Sequence, residues 1–169
     1  MRGAQAGSVS DLEALFRHHW PRAYRAAHLV VHDSAAAEDI AQESFLAAVR
    51  SLDRFDRGRP FGPWLHRIVV NRAINWARAR ALRREVAGDA LETAPRVQPL
   101  PDPSQGDAGR LAVALSELPA DQRAVIVLRY LLEYTPGEIA ELLELPRGTV
   151  NSRLRRGLDR IGAGLEEER

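Results

Sequence analysis

The stretch Tyr134 to Ile161, YTPGEIAELLELPRGTVNSRLRRGLDRI, holds two helices and the break between them. Thr135 and Glu138 stand at capping-box spacing, and Pro136 takes the first helical position, where its missing N–H does no harm. Ile139, Leu142 and Leu143 then recur at helical spacing and face a core, and the turn is expected around Leu145 to Arg147. The second helix packs through Val150, Leu154, Leu158 and Ile161. Its remaining face carries Asn151, Ser152, Arg155 and Arg156. Such a face suits the major groove of duplex DNA, where arginine bonds bidentately to guanine and asparagine to adenine. Arg147, Thr149 and Arg153 are better placed for phosphates, which position a helix without reading sequence. The plain alternative is the solvated face of a helical hairpin, and the capped first helix with its short turn argues against it.

Working outward, charge is partitioned along the chain although the total is only +1. All 24 basic residues are arginine, a usage that GC-rich coding explains more simply than function does. From Arg50 to Arg84 ten arginines oppose Asp53 and Asp56, a net +8. Eleven acids against four arginines make Glu85 to Pro146 net −7, and Arg147 to Arg160 returns to +4. Two basic blocks flank an acidic one, which matters more for partners than the sum does.

Nearly every periodic stretch repeats at helical spacing and none alternates at period two, so the chain is expected to be all-α. A first helix begins near Ser10 or Asp11, with Leu12, Leu15, Phe16 and His19 on one stripe, and Pro21 should kink it or end it. A second runs from about Ala35 to Glu38 as far as Leu52, with Ala41, Phe45, Ala48 and Leu52 as an apolar seam. A third runs from about Pro60 to Arg84, with Trp64, Ile68 and Trp76 as its large anchors. The segment Glu85 to Gly109 has four prolines, three glycines and few large apolar residues. Such a segment buries too little to offset its ordering entropy and is expected to be a flexible, acidic linker. Two small helical domains are thus expected, over 8–84 and 110–166, joined by 85–109. The second starts with LAVALSEL, breaks at Leu118-Pro119, and continues through ADQRAVIVLRYLLEY into the helix-turn-helix.

The C-terminal half resembles both region 4 of sigma factors and the helix-turn-helix of response regulators, and by itself separates neither. AAEDIAQESFLAAVRSLDRFDRGRPFGPWLHRIVVNRAINWARARALRRE, residues 36–85, decides between them. It is similar to region 2 of the sigma-70 family, in the small extracytoplasmic-function (ECF) group, and a response regulator would need a β/α receiver instead. The resemblance covers nearly the whole chain. Independently, trapping unstacked bases takes arginines for the backbone with aromatics and amides for the bases. The net +8 block has Phe55, Phe61, Trp64, Asn71, Asn75 and Trp76 among its arginines.

The resemblance implies a role for each face. The loop Arg54 to Arg59 corresponds to the family's pocket for a flipped base of the minus-ten element. Asn71 matches the asparagine that faces it, and Phe55 and Phe61 line it, with Arg57, Arg67, Arg72 and Arg78 in the same basic block. For Trp64, beside Ile68, filling the core is the simpler reading, and for Phe55 the two readings are even. Asp39, Gln42 and Glu43 match the DxxQE face that grips a coiled coil of the β′ subunit of RNA polymerase, and Leu46 and Arg50 continue it. Residues alone would make that face merely solvated. The linker acids Glu85, Asp89, Glu92, Asp102 and Asp107 either thread the polymerase cleft or belong to a passive tether. Asn151 departs from the lysine or arginine common after GTV, so the duplex preference of relatives does not transfer.

The partners implied are core RNA polymerase through its β′ and β subunits, promoter DNA in duplex and single-stranded form, and an anti-sigma factor. A duplex-DNA regulator acting without polymerase is the main alternative. Without cysteine the chain has no disulfide framework and no thiolate metal site. His28 and His32 are four apart and His18 adjoins His19, but no third ligand stands at motif spacing. No phosphate loop, nucleophile elbow or carboxylate cluster marks an enzyme, and no cofactor or metal is expected. With neither a signal-peptide core nor a membrane-length apolar stretch, the chain is expected to be cytoplasmic, with no membrane insertion.

Overall fold

A computed structural model describes residues 2–56, 58–87 and 107–167, and every regular element among them is helical. A short helix, α1 (Arg2–Gln5), precedes the expected first helix. The Ser8 hydroxyl caps α2 (Val9–Val31), accepting the Asp11 N–H at 3.4 Å, so the true cap lies upstream of Ser10 and Asp11. Pro21 does not end α2. Pro21 and Arg17 are both exposed, so the backbone group that proline leaves without a partner lies on the solvent side. Meanwhile Ala23, Ala26, Ala27 and Val30 hold the helix to the core.

Asp33 caps α3 (Ser34–Arg50) by accepting the Ala36 N–H at 3.0 Å. The expected seam of Ala41, Phe45, Ala48 and Leu52 is buried. A 3-10 turn, Leu52–Arg54, then leads to α4 (Phe61–Ala87). The buried stripe of α4 is Leu65, Val69 and Ala73 with Val70 and Ile74, and Trp64, Ile68 and Trp76 are only half-buried. The expected phase was one residue off, about 100° of helix rotation. Alanines on α2 and α3 bring the helices close, so aliphatic residues fill the centre and the bulky indoles go to the margin.

The second domain comprises α5 (Asp107–Ser116), α6 (Ala120–Ile126) running into a π turn (Val127–Leu131), α7 (Pro136–Leu143) and α8 (Arg147–Glu167). Both halves of the capping box form: the Glu138 N–H donates to the Thr135 hydroxyl at 3.3 Å, and the Thr135 N–H donates to the Glu138 carboxylate at 2.7 Å. That exchange lowers the Glu138 pKa below the usual carboxylate range, first through the Thr135 hydroxyl and then through its N–H. Glu144, in the left-handed region at φ 56°, ends α7. The turn therefore covers Glu144 to Pro146, one residue earlier than expected. Val150, Leu154 and Ile161 are buried, but Leu158 is 42% exposed. Gly157 meets α6 in its place, and a Cβ there would stand 2.6 Å from Ile126 Cδ1. The absence of a side chain sets the approach of α6 and turns Leu158 outward.

Helix extends beyond both expected linker boundaries, to Ala87 and from Asp107, and residues 88–106 lie outside the described part. The linker acids Asp89, Glu92 and Asp102 fall there. The two helical bundles pack on one another, α2 and α4 against α6, the π turn and α7, in one continuous apolar core.

Candidate nucleic-acid and polymerase interfaces

On α8, Arg147, Asn151 and Arg155 are exposed along one side, Arg156 is exposed about 100° further round, and Thr149, Ser152 and Arg153 are half-buried. Helical spacing alone puts 151 and 155 one above the other, and the burial of Val150 and Leu154 aims that side at solvent. The Ser152 hydroxyl donates to the Thr149 carbonyl at 3.4 Å. Arg153 is turned toward α6, where its guanidinium stands 3.3 Å from the Asp121 carboxylate. The structure thus separates Arg153 from the outward-facing arginines.

The residues expected at the minus-ten surface divide three ways. Arg54, Arg59 and Asn75 are exposed, and Asn71 is half-buried. Phe55 and Phe61 are buried, their rings 5.9 Å apart and 4.7 and 5.6 Å from that of Trp64. They anchor both ends of the loop in an aromatic cluster that continues to Phe45, so in this arrangement neither ring is open to a base. Arg67, Arg72 and Arg78 each meet a carboxylate: Glu144, Glu43 at 2.8 Å and Asp121 at 2.7 Å. Arg57 lies outside the described residues. Within the loop the Gly58 N–H donates to the Asp56 carboxylate at 2.9 Å, the Arg59 N–H donates to the Asp56 carbonyl at 3.0 Å, and the Arg59 guanidinium stands 3.8 Å from the Asp56 carboxylate.

Asp39, Gln42, Glu43, Leu46 and Arg50 lie together on the exposed side of α3. Ile40, Ser44, Phe45 and Ala48 are buried opposite them. The Gln42 amide donates to Glu38 at 3.4 Å. Leu46, 53% exposed, is an apolar side chain in an otherwise polar row. A lone exposed leucine is ordinary on any surface, but one ringed by acid, amide and arginine matches the apolar centre and polar rim of an interface.

Between the domains runs an open cleft of about 980 Å³, with Arg54, Arg59 and Arg67 on the first domain and Glu138 and Glu141 on the second. The Asp121 carboxylate is shared by Arg78 of α4 and Arg153 of α8. Of the two, only the Arg78 pair crosses between the domains, and being partly exposed it contributes about 0–1 kcal/mol, so it orients them more than it holds them. Deeper in, His66 Nδ1 and the Tyr134 hydroxyl are 2.8 Å apart. Burial pushes the Tyr134 pKa up to about 12, and Glu138 adds to the rise. His66 is pushed down to about 4 by burial, then by His19 and Arg22. His32, the left-handed cap of α2 at φ 53°, is pushed down to about 3 by burial, then by Arg123 and His28. Burial also lowers Arg123, to about 10.

None of Asp121, Tyr134, Glu144 or His66 was expected at a site. The acidic block is the one signal for Asp121 and Glu144, since its charge complements the basic blocks on either side, and nothing in the sequence singles out His66 or Tyr134. Among the described residues no group of three His, Cys, Asp or Glu could hold a metal ion, and no helix is long and apolar enough to cross a membrane.

Comparison with known proteins adds to this geometry. Residues 15–83 match the family described as Sigma-70 region 2, and residues 108–161 match Sigma-70, region 4. The chain is 33% identical over 163 residues to the ECF RNA polymerase sigma factor SigE of Mycolicibacterium smegmatis, covering 94% of this chain and 63% of that protein. It is 34% identical over 156 residues to SigW of Bacillus subtilis, covering 85% of this chain and 83% of that one. Among solved structures, the sigma factor RpoE in complex with the anti-sigma factor NepR from Bartonella quintana superposes with a TM-score of 0.75 at 25% identity, over 95% of this chain and 100% of that one. CnrH, in complex with the cytosolic domain of CnrY, gives 0.71 at 28% identity, over 99% and 96%. With both regions in order along one helical chain, and relatives of this similarity over most of its length, the protein belongs to the sigma-70 family, in its extracytoplasmic-function group.

Proposed function

We propose that this protein is a dissociable initiation subunit that binds core RNA polymerase, recognises a two-part promoter, and helps to melt the upstream edge of the bubble. What supports this is the pairing of two exposed faces on separate domains. One is the acid, amide and leucine row of α3, and the other is the Asn151, Arg155 and Arg156 side of α8. A regulator that only read duplex would need the second and have no use for the first. In this reading α3 binds β′ and region 4 contacts β and reads the minus-thirty-five element as duplex. The loop Arg54 to Arg59, with Asn71, reads the minus-ten element as separated strands. The domains 8–84 and 110–166 would part from the closed arrangement to reach the two elements. The linker would span the polymerase between them, and the chemistry of RNA synthesis would belong to the polymerase. One solved relative, RpoE, is in complex with an anti-sigma factor, and this chain is proposed to have such a partner too.

Mixing the purified chain with bacterial core polymerase and promoter DNA tests the proposal directly: specific transcripts are expected. Tight duplex binding by the chain alone, with no programmed transcription, would favour the regulator. Asn71→Ala is expected to weaken promoter melting while leaving minus-thirty-five duplex binding unchanged. Equal loss in both assays would count against the assignment of Asn71. Arg156→Ala should relax preference at a single base pair by about 1–3 kcal/mol if the contact is bidentate. Uniform weakening across all sequences would reassign Arg156 to phosphate.

A further inference from the structure

The loop proposed to read single-stranded DNA is tied to the extreme N-terminus. Gln5, at the end of α1, donates through Nε2 to the Leu52 carbonyl at 2.8 Å and to the Phe55 carbonyl at 3.0 Å. One amide nitrogen has two N–H bonds, and both are aimed at this 3-10 turn. The Leu52 carbonyl also accepts the Phe55 N–H at 3.2 Å, whereas the Phe55 carbonyl lies past the end of the turn, where no bond within the turn holds it, so an outside donor helps to fix it. Here the donor comes from 47 and 50 residues away. Phe55 is also where the chain leaves the core: its ring is buried, and Asp56, Gly58 and Arg59 beyond it are exposed.

The N-terminal turn is built to deliver that amide. Ala4 is 4% exposed, within the core. A Cβ at Gly3 would collide with the Asp11 carboxylate, so α1 lies close against the start of α2. Gly7, at φ 84°, reverses the chain between the two helices in a conformation that side chains avoid. From the other side, Asp56 closes the loop on itself through the N–H groups of Gly58 and Arg59. The loop is thus fixed internally by Asp56 and referred to the domain by Gln5.

We propose that Gln5 is a positioning residue for minus-ten recognition: its amide sets the exit point of the Arg54 to Arg59 loop, and with it the register of that loop against a captured base. The inference rests on the single-strand reading of the loop given above. A recognition constellation loses selectivity when its support loosens by about an ångström, so the donor matters through geometry, without touching DNA.

The test uses the full chain with core polymerase. Gln5→Glu has nearly the same shape but no N–H to give, whereas Gln5→Lys keeps donors on a longer stem. Gln5→Glu is expected to lower capture of a single-stranded minus-ten oligonucleotide roughly tenfold, with reduced discrimination between the preferred base and its substitutes. Affinity for core polymerase and for minus-thirty-five duplex should be unchanged, and Gln5→Lys should restore most of the discrimination. Hydrogen exchange at the amides of Phe55 to Arg59 should quicken in Gln5→Glu, with no DNA present. Unaltered exchange overturns the brace. Faster exchange with intact discrimination makes it structural only and overturns the proposal, as does a lysine variant no better than the glutamate. A wild-type chain with no minus-ten preference overturns the reading of the loop and this proposal with it, and exchange without DNA still tells the two failures apart.

Discussion

Acidifying from pH 7.5 to pH 5 is expected to destabilise the closed protein by about 4 kcal/mol, about 2 kcal/mol from each of two histidines. His32 and His66 are 2% and 5% exposed, and each has an Nε2 with no hydrogen-bond partner. Their pKa values fall from 6.5 to about 3 and about 4 because burial disfavours the imidazolium, with Arg123 and His28 adding to it for His32 and His19 and Arg22 for His66. A base whose folded pKa is depressed leaves the proton to the unfolded chain. Its contribution is therefore complete above about pH 6.5 and is lost as pH falls from there toward 4 and 3. Both groups sit where the domains meet, His66 against Tyr134 and His32 near Arg123, so acid acts on that contact as well as on the first domain. Urea unfolding at the two pH values measures the loss. A His32→Asn, His66→Gln double variant should flatten the dependence, and an undiminished slope would place the titrating groups elsewhere.

The second large effect is expected at α3. Leu46→Arg should weaken binding to core polymerase by about 2 kcal/mol or more, roughly thirtyfold, because a charge replaces an apolar side chain at the centre of a polar row. Leu46 is 53% exposed, so stability should move by no more than about 0.5 kcal/mol. Asp39→Ala with Gln42→Ala should act in the same direction. Glu43 is a poorer probe, because its carboxylate pairs with Arg72 at 2.8 Å and its loss would disturb the neighbouring face too. Normal affinity in the Leu46 variant would remove α3 from the polymerase contact.

The closed arrangement gives the acidic block a place. Part of it lies outside the described residues, but Asp121, Glu138, Glu141 and Glu144 line or bridge the boundary with the basic first domain. Glu144 adopts its left-handed conformation at the turn of the helix-turn-helix and also pairs with Arg67. Residues of the unit proposed to read duplex thus cover part of the surface proposed to read single strands.

What the sequence determined by itself is local. Capping at Thr135 and Glu138, the seam of α3 and the exposed row opposite it all follow from residues a few positions apart, whose geometry a helix fixes at once. Charge blocks and motif order carried the family. Tertiary structure alone decided the phase of α4, the burial of Phe55 and Phe61, the sharing of Asp121 between Arg78 and Arg153, and the reach of Gln5 to the loop. Each of these joins residues distant in the chain or turns on how closely two helices approach. No local preference distinguishes a phenylalanine that stacks on a base from one that fills the gap beside a tryptophan. That choice depends on which surfaces are left once alanine-lined helices have come together, and only the packed chain contains it.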